Sequence, residues 1–325
     1  LEPKNEPVPL SLFIGGQLLQ CSGAHLNFQG NQLSALKDDS HVWCLDDYCT
    51  QVNLDLLGID FPGALYKTFT QSWEQIDESL LKDTDFGSRL KMSNPLKEEM
   101  ATLHLEQMKG ADEKISAIYT LLKNKVRWNE KYSLYGKAPK QILKEGTGSN
   151  ADINFIFISM LKDAGIPAYP AVMSRRSMGI IPYSHPSIQK LNTFVVAIAQ
   201  TDTTLVYLDG SVKNGYINVL PPVLMTDRAR VIIPDNQSQW VDLTAIGNNL
   251  LRSVVRADIS QEGAITGMRE TIYAGQYASL LRDKFRTAKD SADFVREFAS
   301  KENIQVKNLR MEGRELFSPQ IHEFV

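Results

Sequence analysis

Thiol, imidazole and carboxylate side chains could support acyl-transfer or hydrolytic chemistry, and in this 325-residue chain they lie far apart. The three cysteines, Cys21, Cys44 and Cys49, all fall within the first fifty residues. Cys44, in Trp43-Cys44-Leu45-Asp46-Asp47, looks superficially like a nucleophile followed by acids. Its expected setting is a strand, His41 to Cys44, which lacks the helix N-terminus that lowers a thiol pKa. An odd count excludes complete pairing, and a Cys44–Cys49 bridge with Cys21 free is one arrangement the spacing allows. His25 and His41 are the histidines near these thiols, and their spacing matches no zinc motif, so no metal or cofactor is expected. No His-Glu-x-x-His run occurs, and no two carboxylates stand at a convincing acid–base spacing. The remaining hydrolytic route is a water activated by Asp209 or Asp152. His185, in Ile181-Pro182-Tyr183-Ser184-His185-Pro186, could serve as a base, although a loop histidine beside proline is expected to face solvent. Arg175-Arg176 could grip a carboxylate or a peptide terminus, but they are expected to form a solvated strand end.

These groups must be held by regular elements, and the clearest is a helix. Ile153, Ile156, Phe157, Met160, Leu161 and Ala164 recur at steps of three and four. Ser149 and Asp152 have capping-box spacing at its head, and Gly165 is a natural stop. Strands are predicted at Ala168–Met173, Thr193–Ala199 and Leu205–Leu208, the last two joined as a hairpin through Gln200-Thr201-Asp202-Thr203. Upstream, helices are expected over Thr70–Leu81 around Trp73, from Asn94-Pro95, and over Asp112–Val126. In the first ninety residues, Leu10–Leu19 reads as one strand, and His25–Phe28 with Gln29-Gly30-Asn31 reads as a hairpin. Downstream, strands are expected at Arg252–Ile259, Ala264–Ile272 and Ile304–Leu309, with helices at Gly275–Phe285 and Asp290–Ala299. A helix packed on an antiparallel sheet gives an α+β class. The expected division is 1–92 as a partial β-rich domain with a connecting helix, 93–235 as a central domain, and 236–325 as a small α+β domain. The opening Leu1-Glu2-Pro3, without an initiator Met, and the strand-like close at Ile321–Val325 predict an excised fragment.

Gly148-Ser149-Asn150-Ala151-Asp152 resembles the Gly-x-Cys-x-Asp signature of bacterial transglutaminase-like domains. The helix then reaches Gly165-Ile166-Pro167-Ala168, similar to the family's Gly-Ile-Pro-Ala ending. Leu191-Asn192-Thr193-Phe194-Val195 resembles the strand that carries the family's histidine, and Val206-Tyr207-Leu208-Asp209 resembles its Leu-Asp strand end. Trp128-Asn129-Glu130-Lys131-Tyr132-Ser133 and Ser72-Trp73-Glu74 are similar to segments of large Bacteroides-type envelope proteins, in which this domain lies between two others. The resemblance is specific over residues 95–235.

It implies a papain-like superfold in which a helix-borne cysteine, a strand histidine and an aspartate form a triad. In this chain Asn150 stands at the cysteine position and Thr193 at the histidine position, while Asp209 is kept without a partner to orient. Losing such a pair removes several orders of magnitude of rate. The implied function is therefore non-catalytic. The cleft around Asn150, Trp128, Thr193, Asp209 and His185 would be retained for peptide or glycan, or the domains would serve as an exported envelope scaffold. The alternative is a protease- or amidase-like hydrolase built around Asp209. A net charge of −3 without a basic cluster gives no reason to expect nucleic acid, and no apolar run is long enough to span a membrane.

Overall fold

The computed structural model describes residues 4–14, 16–37, 39, 41–52, 54, 56, 58–61, 65–68, 72–201, 204–235, 237–315 and 317–325. Two compact units are present, Leu1–Gln51 and Val52–Val325. The first is an antiparallel hairpin, Lys4–Ile14 with Gln17–Asn27, followed by a 3-10 turn at Leu45–Tyr48. Leu10–Leu19 is therefore two strands rather than one. Gly16, at φ +85°, lies where the chain reverses, a conformation glycine adopts without a Cβ penalty. His25 to Asn27 ends the second strand instead of opening a new hairpin, and His41–Cys44 is not a strand, Cys44 preceding the 3-10 turn in extended conformation.

The second unit is mixed α+β, and the described residues of the chain include eight α-helices. Its centre is a five-stranded antiparallel sheet in the order Gln239–Val241, Ala229–Val231, Ala168–Met173, Thr193–Ala199, Leu205–Leu208. Sequence periodicity locates the last three strands because they are apolar runs bounded by turn residues. The runs are continuous rather than alternating because both sheet faces are covered. Val172, Phe194, Val196, Ile198 and Leu208 meet the helix side, whereas Ala171, Met173, Val195, Ala197 and Tyr207 pack with Leu220, Leu224 and Leu243.

The helix on this sheet is Asn150–Asp163, and every residue from Asn150 to Leu161 is buried. Its head carries the predicted box: Ser149 Oγ accepts from Asp152 N at 3.2 Å, and Asp152 Oδ2 accepts from Ser149 N at 2.9 Å. Gly165, at φ +75°, follows its end. The helix Ala111–Lys125 packs beside it, burying Ile115, Ile118, Tyr119 and Leu122. The helix expected from Asn94-Pro95 is short and starts later, at Lys97–Ala101; Asn94 Oδ1 instead accepts from Leu96 N at 2.9 Å.

The helix Trp73–Lys82 is fastened to the sheet by a buried ion pair. Arg230, in the strand Ala229–Val231, donates from Nε to Asp77 Oδ1 at 2.8 Å and from Nη2 to Asp77 Oδ2 at 2.6 Å. Trp73 and Trp240 meet edge to face over it, with ring centres 4.9 Å apart.

Downstream, a second antiparallel sheet runs in the order Leu250–Ile259, Ile265–Ala274, Gln320–Phe324, Arg310–Glu312, with helices Gln276–Thr287 and Ser291–Glu302. Ile304–Leu309 is not a strand; the strand begins at Arg310. Phe317 leaves this region and enters the main core, where its ring lies 5.4 Å from that of Tyr119 and 4.9 Å from that of Tyr216. Among the described residues, no helix is long and apolar enough to cross a membrane.

Candidate functional site

The helix head, the start of one strand and the end of the next meet at one point. A short parallel pairing of Arg127–Trp128 with Thr147–Gly148 delivers the chain to the central helix, and Asn150 N donates to Lys131 O at 3.1 Å. The Asn150 side chain then uses both its amide groups. Its Oδ1 accepts from Ser133 N at 2.7 Å, and its Nδ2 donates to Thr193 Oγ1 at 2.6 Å and to Phe194 O at 3.1 Å.

One turn along the same helix face, Asn154 continues the connection. Its Nδ2 donates to Phe194 O at 3.0 Å and to Asp209 Oδ1 at 3.1 Å, while its Oδ1 accepts from Gly210 N at 2.7 Å. Asp209 Oδ1 also accepts from Ser211 N at 2.9 Å and Ser211 Oγ at 2.8 Å. Asn150, Thr193 and Asp209 thus belong to one hydrogen-bonded chain, joined through Phe194 O and Asn154. All three, and Asn154, are 0% exposed. They fill the space between helix and sheet and do not line an open groove. Among the described residues, an open depression of about 290 Å³ lies elsewhere, lined by Asp85, Tyr135, Gly136, Lys137, Ala138 and Gln141.

Burial dominates the electrostatics. It raises the Asp209 carboxyl above the usual range, against the hydrogen bonds from Ser211 and Asn154 and the charge of Lys123, which pull it down. Asp209 Oδ2 has no hydrogen-bond partner. Burial also pushes Lys123 down to about 8, opposed by the Asp209 charge; its Nζ donates to Gly210 O and Ser211 O, each at 2.9 Å. Tyr119 donates to Val212 O and accepts from Gly215 N at 2.9 Å, and burial raises its phenol.

A raised folded-state pKa means that folding favours the protonated acid. The penalty from Asp209 is therefore absent below its unfolded pKa of about 4, grows as pH rises above it and is complete once pH passes the folded value. Asp209→Asn keeps the acceptor Oδ1 and removes the charge. At pH 7 it is expected to unfold at higher denaturant than the wild type, with the difference closing as pH falls toward about 4. Urea titrations at several pH values check this; a variant that is less stable at pH 7 would show that the carboxylate charge is an asset.

The other candidates lie outside this chain of bonds. Trp128 is half-buried, donates from Nε1 to Lys131 O at 3.0 Å and packs edge to face on Tyr132 at 5.2 Å. Arg175 lies over the Tyr132 ring at 4.9 Å and donates to Asn192 Oδ1 at 3.2 Å; burial pushes the Tyr132 phenol up to about 12. His185 is exposed, with Ser184 Oγ 2.8 Å from its Nδ1. Asp152 is committed to the cap and to Lys137 N, which donates to Oδ1 at 2.7 Å. Cys44 and Cys49 are free thiols in the first unit. Among the described residues, no three His, Cys, Asp or Glu side chains form a group that could hold a metal.

Sequence reasoning missed Asn154 and Lys123 as members of the network. Asn154 did carry a signal, being a polar residue one turn from Asn150 among Ile153, Ile156 and Phe157. Lys123 carried none, because a lysine in the last turn of a helix is ordinary.

Comparison with known proteins adds a family likeness over part of the chain. A profile described as the transglutaminase-like superfamily matches residues 99–187, which include the helix head with Asn150 and end before Thr193 and Asp209. A search of solved structures matched a "putative protease" from Parabacteroides distasonis at 14% identity and a TM-score of 0.39, covering 73% of this chain. This chain spans 40% of that protein's length. A search of curated proteins gave no match.

Proposed function

We propose, for a chain whose residues 99–187 are a transglutaminase-like domain, that this domain is a non-catalytic scaffold in which the residues at the triad positions hold helix and sheet together. The observation that carries this reading is the 2.6 Å bond from Asn150 Nδ2 to Thr193 Oγ1, both residues fully buried. Cysteine-type acyl transfer requires a thiolate and an imidazole that takes its proton. An amide nitrogen is not a nucleophile, a threonine hydroxyl is not a base near neutral pH, and the Asp209 oxygen that does engage a partner meets Asn154 and Ser211. The scaffold form is preferred to a cleft for peptide or glycan because Asn150, Thr193 and Asp209 present no surface to a ligand.

Asn150→Cys tests this, in a background where Cys21, Cys44 and Cys49 are serine. The new thiol is expected to resist an aromatic disulfide reagent in the native protein and to react only as fast as the protein unfolds. Prompt labelling would show an open site. In parallel, the unaltered protein is expected to cleave and crosslink neither peptides nor glutamine-containing proteins. Turnover that disappears with Asp209→Asn, while the fold persists, would replace this reading with the Asp209 hydrolase.

A further inference from the structure

The strand Leu250–Ile259 is the outer edge of the downstream sheet, and among the described residues no strand pairs with its free side. It has ten residues, with no proline or lysine, and Leu251, Val255 and Ile259 are 51%, 63% and 73% exposed. Long edges with exposed apolar residues are what folded proteins usually avoid or blunt with charge, because they template pairing with another chain. The charges on this one are Arg252, Arg256 and Asp258.

The direction of its free backbone groups follows from the neighbouring bonds. Ser260 N donates to Ala264 O at 2.9 Å, in the register that pairs Ile259 with Ile265. On the far side of the hairpin, Arg269 and Val325 exchange both of their bonds at 2.8 Å. Hydrogen-bonding direction alternates along a strand. The even-numbered residues of Leu250–Ile259 therefore bond inward to the strand Ile265–Ala274. The N–H and C=O groups of Leu251, Ser253, Val255, Ala257 and Ile259 point outward.

We propose that this edge binds a second copy of the same edge, antiparallel and centred on Val255, joining two four-stranded sheets across a twofold axis. The sequence of the strand is self-complementary in that register. Leu251 faces Ile259, Ser253 faces Ala257 and Val255 faces itself, so each outward-pointing residue meets another. On the opposite face, Arg252 of one copy stands beside Asp258 of the other, twice, and Arg256 stands beside Val254. The neighbouring registers with the same bonding parity fail on charge. Centring on Val254 sets Arg252 against Arg256, and centring on Arg256 sets it against itself. Opposite charges directly across strands stabilise and like charges destabilise. Centring on Ala257 also sets Arg256 against Asp258 but overlaps only residues 255–259, so charge and length of overlap together select the register centred on Val255. A second copy is the partner that supplies this pattern.

Sedimentation velocity over a range of protein concentration tests the proposal. The unaltered protein is expected to show a reversible monomer–dimer equilibrium. Arg252→Asp and Asp258→Arg each turn both ion pairs into like-charge pairs, and each is expected to weaken the dimer by roughly tenfold or more. Both sites are exposed, so the fold is expected to survive, as circular dichroism would verify. Mixing the two variants restores two opposite-charge pairs and is expected to give a heterodimer near the original affinity. A monomer at all concentrations, a dimer indifferent to both substitutions, or a mixture that fails to recover would each overturn the proposal.

Discussion

Arg230→Ala is expected to remove about 3–5 kcal/mol of folding free energy, enough to unfold a marginal domain. Arg230 and Asp77 are 4% and 6% exposed, and truncating the arginine leaves a carboxylate in an apolar site with no counter-charge. The guanidinium also lies 5.4 Å from the Trp240 ring, so the lost side chain opens a gap beneath the Trp73–Trp240 contact. The two tryptophans make the event visible: a denaturant titration followed by tryptophan fluorescence reads the very residues that cover the pair. A double variant, Asp77→Leu with Arg230→Met, removes both charges and is expected to recover most of the loss, since apolar residues of similar volume commonly replace buried pairs at little cost. A single variant that loses less than about 1 kcal/mol would show that water reaches Asp77 after all.

The second large effect is expected at Asn154. Alanine there strands Gly210 N, removes a donor from Asp209, and leaves a small void between helix and sheet. The expected cost is about 2–4 kcal/mol, read as a lower urea midpoint with an unchanged slope. Phe194 O keeps its bond from Asn150, so that carbonyl is not part of the loss. The comparison variant is Ser211→Ala, which takes away one of the two Ser211 donors to Asp209 Oδ1 and leaves the backbone bond at 2.9 Å. It should cost less than Asn154→Ala. Equal costs would mean that Asp209, rather than Gly210, dominates the energetics of the network.

What the sequence revealed follows from how far each signal reaches. The central helix is legible from its periodicity and its Ser149–Asp152 cap, which are local. The strands at 168–173, 193–199 and 205–208 are legible because burial on both faces writes itself as a continuous apolar run. Ala229–Val231 and Gln239–Val241 are too short to carry a pattern, and they exist as strands through pairing with neighbours. Asn94-Pro95 carries a start signal, but the Asn94 side chain spends it on Leu96 N, and its amide also donates to Asp163 at 3.0 Å. The sequence brought Asn150, Thr193 and Asp209 together only through family likeness. Their burial, and Asn154 as the link between them, needed the fold, because exposure is decided by what other segments cover.

The contact of Phe317 with Tyr119 and Tyr216 bears on modularity. The catalogue of elements suggests separable pieces, a sheet with its helix followed by a second small sheet, yet an aromatic side chain near the C-terminal end completes the interior of the first. Arg286 adds a donation to Asn214 Oδ1 at 2.7 Å across the same boundary. The two pieces are therefore expected to melt as one cooperative unit. Recombination that exchanged the downstream piece for that of a relative would have to carry a ring to this spot, or leave the Tyr119 phenol facing water it is built to exclude.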